Sequence, residues 1–254
     1  MIKSVILAAG RGTRMRELTH AVPKPMLRVH GKPILEHILR RLMAAGSEQF
    51  CIITGWHAEV IEDYFGDGKA FDTRITYARQ TVQDGTGKAP ELAREFVGSD
   101  NFILTYGDIL VRQDTYQKMI CRFLEAEFSG LLTVLHGADV SKGALVLLDP
   151  DRCLRLLVEK PGPDRLDQLR REGRLLPGDQ IWYNAGVYLF RPELFEFTAR
   201  LTKSPRGEYE LTDAIGAMQA AGRRIAAVEI VDSWVDVRDP EMLAALEREW
   251  ERGA

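Results

Sequence analysis

The alternation of short apolar runs with helical patterns in the first half of the chain constrains the fold most. The run from Ile2 to Ala8 is continuously apolar, as in a strand buried on both faces of a parallel sheet. A helical pattern then begins at Pro33 and ends at Gly46. Strands that alternate with helices at this spacing predict βαβ units and a parallel sheet, whose ligands bind beyond the carboxyl ends of the strands.

The rest of the chain follows the same patterns, with more strands in the second half. Further strands are predicted at 50–54, 74–78, 102–106, 131–135, 144–148, 154–158, 185–190 and 225–230, and helices at 58–65, 89–96, 115–127, 192–201, 209–220 and 240–250. The stretch 164–178 is polar and predicts a surface helix and loop. Because no repeat or linker interrupts the chain, residues 1–254 are expected to form a single α/β domain.

The composition excludes several functional classes. The chain has 34 basic and 37 acidic residues, a net charge of −3, which argues against a general nucleic-acid binder. Three distant cysteines form no zinc or disulfide pattern. No apolar run approaches the roughly 18 residues that span a bilayer, and the N-terminal apolar stretch is too short for a signal peptide. We therefore expect a cytoplasmic protein with neither a nucleic-acid nor a membrane partner.

The densest functional signal is the glycine-bearing stretch Leu7–Met15, which leads to Pro23–Met26. Glycines directly after a buried first strand let backbone N–H groups approach phosphate, and Arg14 and Lys24 offset its charge. The dinucleotide fingerprint fails because Met15 stands at its third glycine. A Walker A loop ending at Gly87-Lys88 fails as well, because Val82 and Ala89 stand at two required positions. From these residues alone, an ordinary strand-to-helix turn remains the alternative.

Together these motifs resemble the signature of the sugar-phosphate nucleotidylyltransferases, the NDP-sugar pyrophosphorylases, and in particular the glucose-1-phosphate thymidylyl- and uridylyltransferases. Further landmarks follow in the family's order along nearly the whole chain: Gly31-Lys32-Pro33, Thr54-Gly55-Trp56, Tyr64–Gly68, Gln80 with Asp84-Gly85-Thr86, Tyr106-Gly107-Asp108, Val158–Pro161, Asn184–Tyr188 and Trp234-Val235-Asp236.

The resemblance implies a reaction and a fold. The family combines an NTP with a sugar 1-phosphate to give an NDP-sugar and pyrophosphate, on a Rossmann-like, mixed and mostly parallel sheet flanked by helices. It implies a nucleotide-binding half at 1–130 and a sugar-phosphate-binding half at 131–254, without the β-helix domain of acetyltransferase fusions. Both reactants are anionic, so catalysis by positioning and charge neutralisation suits a site of Lys, Arg, backbone N–H groups and metal-binding carboxylates.

The resemblance also implies the site residues. Arg14, Lys24, Asp108 and Lys160 are the implied catalytic residues, with Arg14 on the β and γ phosphates, Lys24 at the α-phosphate and Lys160 on the sugar phosphate. Asp108 and Asp236 would hold Mg²⁺. The implied nucleotide-binding residues are Leu7, Ala9, Gly10, Gly12, Thr13, Arg14, Gln80, Gly85, Thr86 and Asp108, with Gln80 and Gly85 at the base. The implied sugar-phosphate-binding residues are Gly143, Glu159, Lys160 and Asn184.

Purely structural roles remain open for four of these positions. Asp108 is also compatible with a turn cap, the pair Glu159 and Lys160 with a solvated strand end, and Gly143 with a plain turn.

The chain departs from the family pattern at Gly87 and Lys88, at Lys142, at Arg238 and in the 164–178 insertion. These departures bear on the identity of base and sugar. Gln80 favours UTP or dTTP, whereas room at Gly87 would suit a purine and makes GTP the alternative nucleotide. A GTP- or CTP-dependent enzyme that acts on another sugar, a cyclitol or choline phosphate is thus the alternative function. Arg238 is a competing ion-pair partner for Asp236. A non-catalytic nucleotide-sugar sensor would have lost Lys24 or an aspartate, and a homodimer is expected only by analogy.

Overall fold

The computed structural model describes residues 2–252. The chain folds into two compact units, each with its own strands and helices. Unit 1 comprises Met1–Gln83, Leu92–Gln117 and Asp232–Ala254, and unit 2 comprises Asp84–Glu91 and Lys118–Val231. The predicted single domain and its two halves stay a prediction.

The strands and helices alternate through the first half, as the sequence predicts. The strands are β1 Ile2–Leu7, β2 Arg28–Val29, β3 Lys32–Pro33, β4 Gln49–Thr54, β5 Arg74–Arg79, β6 Asn101–Tyr106, β7 Ile109–Val111, β8 Gly130–Leu135, β9 Ala144–Leu148, β10 Leu154–Glu159, β11 Trp182–Phe190, β12 Ile225–Glu229 and β13 Trp234–Asp236. The α-helices are α1 Ile34–Ala44, α2 Ala58–Phe65, α3 Arg94–Val97, α4 Gln113–Leu124, α5 Pro163–Arg171, α6 Leu194–Thr198, α7 Leu211–Ala220 and α8 Pro240–Arg252. Short 3₁₀ turns occur at Thr13–Thr19, Lys24–Met26, Lys69–Phe71, Ala89–Ala93 and Val140–Lys142.

Unit 1 is built on parallel strands. β1 pairs in parallel with β6 on one side and β4 on the other, and β4 pairs in parallel with β5. Residues such as Val5, Ile52 and Leu104 are completely buried, which explains the unbroken apolar runs. The carboxyl ends of β1, β4 and β6 therefore share one edge, where ligands of such sheets bind.

A two-stranded ribbon completes unit 1. β13 pairs antiparallel with β7, with Asp236 opposite Ile109. α8 follows, and its Glu247 carboxylate accepts a hydrogen bond from the His30 backbone N–H at 2.9 Å. The last segment of the chain thus returns to the unit that contains the first.

Unit 2 contains a mixed set of strands. β9 pairs antiparallel with β10 and with β11, β11 pairs antiparallel with β8, and β8 pairs in parallel with β12. The register of β11 shifts between Asn184 and Tyr188. Such irregularities re-aim side chains and are frequent near functional sites.

The polar 164–178 insertion is anchored more firmly than its composition suggests. It forms α5 as predicted, but Leu169 and Leu175 are buried against leucines of β9 and β10. Eleven of its fifteen residues are exposed, so the segment is a surface helix and loop, as predicted, and these two leucines anchor it to the core of unit 2.

Two predicted helices differ from those observed. The 89–96 segment begins as a 3₁₀ turn before α3, where Pro90 removes a backbone donor. The 192–201 helix is shortened to α6, and the Ala199 carbonyl beyond it accepts a hydrogen bond from Lys88 Nζ. None of the described helices is both long enough and apolar enough to cross a membrane.

Candidate active site

The loop after β1 approaches Lys24 closely because of one glycine. Gly12 has a φ of +63° and begins the turn Thr13–Thr19. A Cβ at this position would lie 2.9 Å from Lys24 Cβ, so both the left-handed backbone and the close approach require glycine. The neighbouring Gly10 is exposed, with no atom within 4 Å of its would-be Cβ. Its backbone is therefore open to a ligand.

The same loop is held from behind by contacts to the Ala9 carbonyl. This oxygen accepts hydrogen bonds from Trp56 N at 3.1 Å and from Gln83 Nε2 at 2.9 Å. A Cβ on Gly55 would lie 2.7 Å from it. The predicted residue Gln80 donates its backbone N–H to the Thr54 carbonyl at 2.8 Å, which fixes its place after β5.

Two basic residues of the loop have different surroundings. The Arg11 guanidinium lies 4.3 Å from the centroid of the Trp56 ring, a cation–π arrangement. The Arg14 side chain is exposed, as is Thr13. Arg14 is thus accessible to an anionic ligand, as the resemblance implies.

Lys24 and Asp108 meet at the edge of the unit 1 sheet. Lys24 Nζ lies 2.5 Å from Asp108 Oδ2, and the two side chains are 12% and 27% exposed. Asp108 follows β6, while Lys24 begins the turn Lys24–Met26. A partly buried, charge-assisted pair of this kind is short and strong.

Asp236 lies beside Asp108 because β13 pairs with β7. The Val237 N–H donates to the Asp108 carbonyl at 3.0 Å. Burial and the nearby negative charge of Asp108 raise the pKa of Asp236, while Arg238 and Lys24 oppose that rise. Arg238 Nε lies 2.5 Å from Asp236 Oδ2. Arg238, which the sequence suggests as a competing partner for Asp236, therefore does form an ion pair with it.

We call the side chains of Lys24, Asp108, Asp236 and Arg238 the unit 1 charge cluster. Its two carboxylates are oxygen donors that suit Mg²⁺. No group of three or more His, Cys, Asp and Glu residues is placed to hold a metal in the part of the chain that the structure describes. A cation here would thus need phosphate oxygens and water to complete its coordination.

The predicted sugar-phosphate residues Glu159 and Lys160 lie at the end of β10 in unit 2. Glu159 is 21% exposed, and Lys160 Nζ lies 3.6 Å from its Oε1. Burial raises the pKa of Glu159 despite the neighbouring Lys160. Lys160 has a φ of +37°, and its backbone N–H donates to the Gly143 carbonyl at 2.6 Å. Strained backbone of this kind clusters at functional sites.

Gly143 and Asn184 are packed against tyrosines. A Cβ at Gly143 would overlap the ring of Tyr183, which gives this glycine a steric requirement of its own. Asn184 is buried and donates through Nδ2 to the Tyr188 hydroxyl at 2.8 Å. The Gly143 carbonyl also accepts the hydrogen bond from Lys160 N–H, so Gly143 and Lys160 are close neighbours, as the resemblance implies.

Three residues near Glu159 were missed by the sequence reasoning. Thr212 Oγ1 donates to Glu159 Oε2 at 3.1 Å, Arg206 lies 3.7 Å from Glu159 Oε1, and Glu210 lies 3.0 Å from Arg206. We call Glu159, Lys160, Arg206, Glu210 and Thr212 the unit 2 charge cluster. The polar run before α7 was the available signal, but it reads equally well as a turn.

Comparison with known proteins assigns the chain to a family. The sequence model of the family described as nucleotidyl transferase matches residues 3–252. The chain belongs to the nucleotidyl transferase family. The family predicted from the motifs is thereby confirmed.

Several curated proteins resemble this chain over most of its length. It is 32% identical to a glucose-1-phosphate thymidylyltransferase of Streptomyces griseus, covering 92% of this chain and 62% of the relative. It is 29% identical to the low-salt glycan biosynthesis nucleotidyltransferase of Haloferax volcanii, with coverages of 94% and 63%. It is 31% identical to the bifunctional protein GlmU of Methanococcus maripaludis strain C5, with coverages of 93% and 51%. The chain therefore spans between half and two thirds of these relatives.

Solved nucleotidyl transferase structures share the fold. A UDP-glucose pyrophosphorylase complexed with UDP-glucose matches with a TM-score of 0.84 at 23% identity, with full coverage of both chains. A chain from Bacillus anthracis described as a glucose-1-phosphate thymidylyltransferase matches with a TM-score of 0.83 at 24% identity, covering 98% of this chain and 95% of that one. The predicted α/β fold class, with a mixed and mostly parallel sheet flanked by helices, is confirmed.

Proposed function

We propose that this nucleotidyl transferase transfers a nucleotidyl group from an NTP to a sugar 1-phosphate and releases pyrophosphate. A phosphate oxygen of the sugar phosphate forms a bond to the α-phosphorus. The bond from that phosphorus to the bridging oxygen breaks, and its electron pair leaves with pyrophosphate. The observation that carries this proposal is the unit 1 charge cluster, which lies at the ligand-binding edge of a parallel sheet.

The residues of unit 1 suit the nucleotide. The open backbone at Gly10 and the exposed Arg14 offer donors and charge to the β and γ phosphates. Lys24, held at 2.5 Å from Asp108, would neutralise charge that grows at the α-phosphate. Because phosphoryl transfer depends on positioning and charge, no protein nucleophile is needed.

The residues of unit 2 suit the sugar phosphate. Lys160 would pair with the phosphate. The partly buried Glu159 carboxylate would accept hydrogen bonds from sugar hydroxyls, and the buried Asn184 amide would accept them or donate them. The raised pKa of Glu159 reflects an environment that water fills poorly. Hydrogen bonds to a ligand are worth more in such surroundings.

Magnesium fits the donor set of unit 1. Asp108 and Asp236 would hold the ion, and a bound Mg²⁺ would neutralise phosphate charge and orient the triphosphate. Arg238 occupies Asp236 Oδ2 at 2.5 Å and would have to release it. The protein side chains that would neutralise the phosphates directly are Lys24 and Arg14.

For the base, we favour UTP or dTTP. The Gln80 amide matches the donors and acceptors of a pyrimidine edge, and the Streptomyces griseus relative is a thymidylyltransferase. A purine would require space at Gly87. A Cβ there would lie 2.5 Å from Leu201 Cδ1 and 2.9 Å from the Glu210 carbonyl carbon, so packing gives this glycine a reason of its own.

Two further expectations belong to the same proposal. A cytoplasmic location follows from the NTP and sugar phosphate substrates, and a homodimer follows only by analogy with the family. Retention of Lys24, Asp108 and Asp236 favours an enzyme over a nucleotide-sugar sensor.

A pyrophosphate-release screen tests the proposal. ATP, GTP, CTP, UTP and dTTP are each paired with glucose, mannose, galactose and N-acetylglucosamine 1-phosphates, and with choline and inositol phosphates, in Mg²⁺ buffer. We expect release with UTP or dTTP and a hexose 1-phosphate. Release with a purine nucleotide, with CTP or with a non-sugar acceptor would select the alternative enzyme. No release with any pair would contradict the proposed transfer.

A further inference from the structure

The two unusual residues Gly87 and Lys88 lie in a loop that is fastened to the segment before α7. Tyr209 N donates to the Asp84 carbonyl at 2.7 Å, and Gly87 N donates to the Tyr209 carbonyl at 2.7 Å. Gly85 and Tyr209 form an isolated β-bridge. The loop and the segment thus share backbone hydrogen bonds within unit 2.

Gly87 is needed for this contact. It is buried, and a Cβ would lie 2.5 Å from Leu201 Cδ1 and 2.9 Å from the Glu210 carbonyl carbon. The leucine end can move, but the Glu210 backbone precedes α7 and can yield only by shifting the start of that helix. A larger residue at position 87 would therefore push on Glu210.

Lys88 fastens the same loop through its side chain. Its Nζ donates to the Ala199 carbonyl at 3.0 Å and lies 3.2 Å from Glu91 Oε1. It also lies 5.6 Å from the centroid of the Tyr209 ring. The side chain is 27% exposed, so these contacts are only partly screened by solvent.

The segment that receives the loop carries residues that touch Glu159. Glu210 immediately precedes α7, and its carboxylate lies 3.0 Å from Arg206. Arg206 lies 3.7 Å from Glu159 Oε1, and Thr212 donates to Glu159 Oε2 at 3.1 Å. A shift at Glu210 would therefore reach Glu159 along two paths.

We propose that Gly87 and Lys88 are positioning residues for the sugar phosphate. Docking of their loop fixes Glu210 and Thr212, and these in turn fix the carboxylate of Glu159. The inference rests on the proposed function only for the role of Glu159 and Lys160. It assigns the two departures to the acceptor rather than to the base.

Binding of each substrate alone separates the two assignments. Glucose 1-phosphate and dTTP are titrated separately by calorimetry into the wild type, Gly87→Ala and Lys88→Met, so no turnover occurs. Gly216→Ala is the matched glycine control, because nothing lies within 4 Å of its would-be Cβ in α7. Lys69→Met is the matched lysine control, because that side chain is 87% exposed.

For Gly87→Ala, we expect the Kd of glucose 1-phosphate to rise by about fivefold or more, because overpacking displaces Glu210, while that of dTTP stays within about twofold. For Lys88→Met, which removes a charged donor without overpacking, we expect a rise of about threefold in the Kd of glucose 1-phosphate. Both controls should match the wild type.

Two results would overturn the inference while leaving the proposed function intact. The first is that the variants lose affinity for dTTP only. The second is that the variants bind both compounds as tightly as the wild type does. If the wild type binds neither compound, the titrations are repeated with the NTP and acceptor that the pyrophosphate-release screen selects. A wild type that binds none of the NTPs and none of the acceptors of that screen would overturn the proposed function and this inference together. Circular dichroism of Gly87→Ala reports its folding, and Lys88→Met carries the test if that variant unfolds.

Discussion

The two charge clusters differ in how their charge is balanced. In unit 1, two carboxylates face two cations, with Lys24–Asp108 and Arg238–Asp236 each at 2.5 Å. In unit 2, the two cations lie farther from Glu159, with Lys160 at 3.6 Å and Arg206 at 3.7 Å from its carboxylate. Burial raises the pKa of Glu159 and Glu210, as it does that of Asp236 in unit 1. The first cluster therefore holds its carboxylates in short ion pairs that suit a polyanion and a cation, whereas the second leaves the Glu159 carboxylate more loosely paired. The difference suits a triphosphate in one unit and sugar hydroxyls in the other.

The largest effect should come from breaking the balance in unit 1. Lys24→Met and Asp108→Asn should each lower kcat by about 10² or more, because charge that develops in the transition state loses its compensation. Pyrophosphate release under saturating substrates measures this, with Lys69→Met as the control. Values of kcat within about twofold of the wild type would mean that the pair only stabilises the fold.

Next in size, the loss of one cation in unit 2 should affect one substrate. Lys160→Ala should raise KM for the sugar 1-phosphate by about 10- to 100-fold, because a charge-assisted phosphate contact is worth about 1.5–3 kcal/mol. KM for the NTP should stay near the wild-type value. Equal increases in both KM values would show that the two clusters do not divide the substrates.

A smaller effect should follow from freeing Asp236. Arg238→Gly removes the cation that occupies Asp236 Oδ2, so Mn²⁺ should bind about threefold to tenfold more tightly. Electron paramagnetic resonance of free Mn²⁺ measures this without turnover, and Asp236→Asn should weaken binding instead. Arg112→Gly, whose side chain is 61% exposed in the same unit, is the control. A destabilised Asp236→Asn with unchanged Mn²⁺ binding and kcat would reject the two-aspartate metal site.

The smallest effect should be a pH-dependent gain in stability. Because burial raises the pKa of Glu159 above its ordinary value of 4.5, the folded state holds this proton more tightly than the unfolded state. Stability contributed by this group is therefore lost as the pH rises through 4.5 toward the raised folded value. Glu159→Gln should raise Tm at pH 7 by about 2 °C and have little effect below about pH 4. Thermal melts across this range measure it, and a gain that is independent of pH would point to packing rather than charge.

Sequence patterns predicted those parts of the fold that local periodicity controls. The bounds of α2 match the prediction at both ends. Those of β1, β4 and β6 match within one residue at either end, because the apolar centre of each strand is buried. The loop after β1 was also predictable, since Gly12 needs a left-handed backbone. A strand-end loop of this kind can be recognised because the residues that form it are adjacent in the sequence.

Contacts between residues that are distant in the sequence could not be predicted from local patterns. β7 and β13 have three residues each, and their pairing joins segments more than a hundred positions apart. The contact of Arg206 with Glu159 likewise depends on where α7 begins. The ion pair of Asp236 with Arg238 was foreseeable only because the two are close in sequence. Propensity cannot supply tertiary contacts.

The division of substrates between the two clusters is tested most directly by crossed binding measurements. Lys24→Met and Lys160→Ala are each titrated by calorimetry with dTTP alone and with glucose 1-phosphate alone. We predict that Lys24→Met raises the Kd of dTTP by about tenfold and leaves the Kd of glucose 1-phosphate unchanged. Lys160→Ala should raise the Kd of glucose 1-phosphate by about tenfold and leave that of dTTP unchanged. If either variant loses affinity for both compounds equally, the assignment of nucleotide to unit 1 and sugar phosphate to unit 2 is wrong. It is also wrong if Lys24→Met weakens only glucose 1-phosphate binding and Lys160→Ala weakens only dTTP binding.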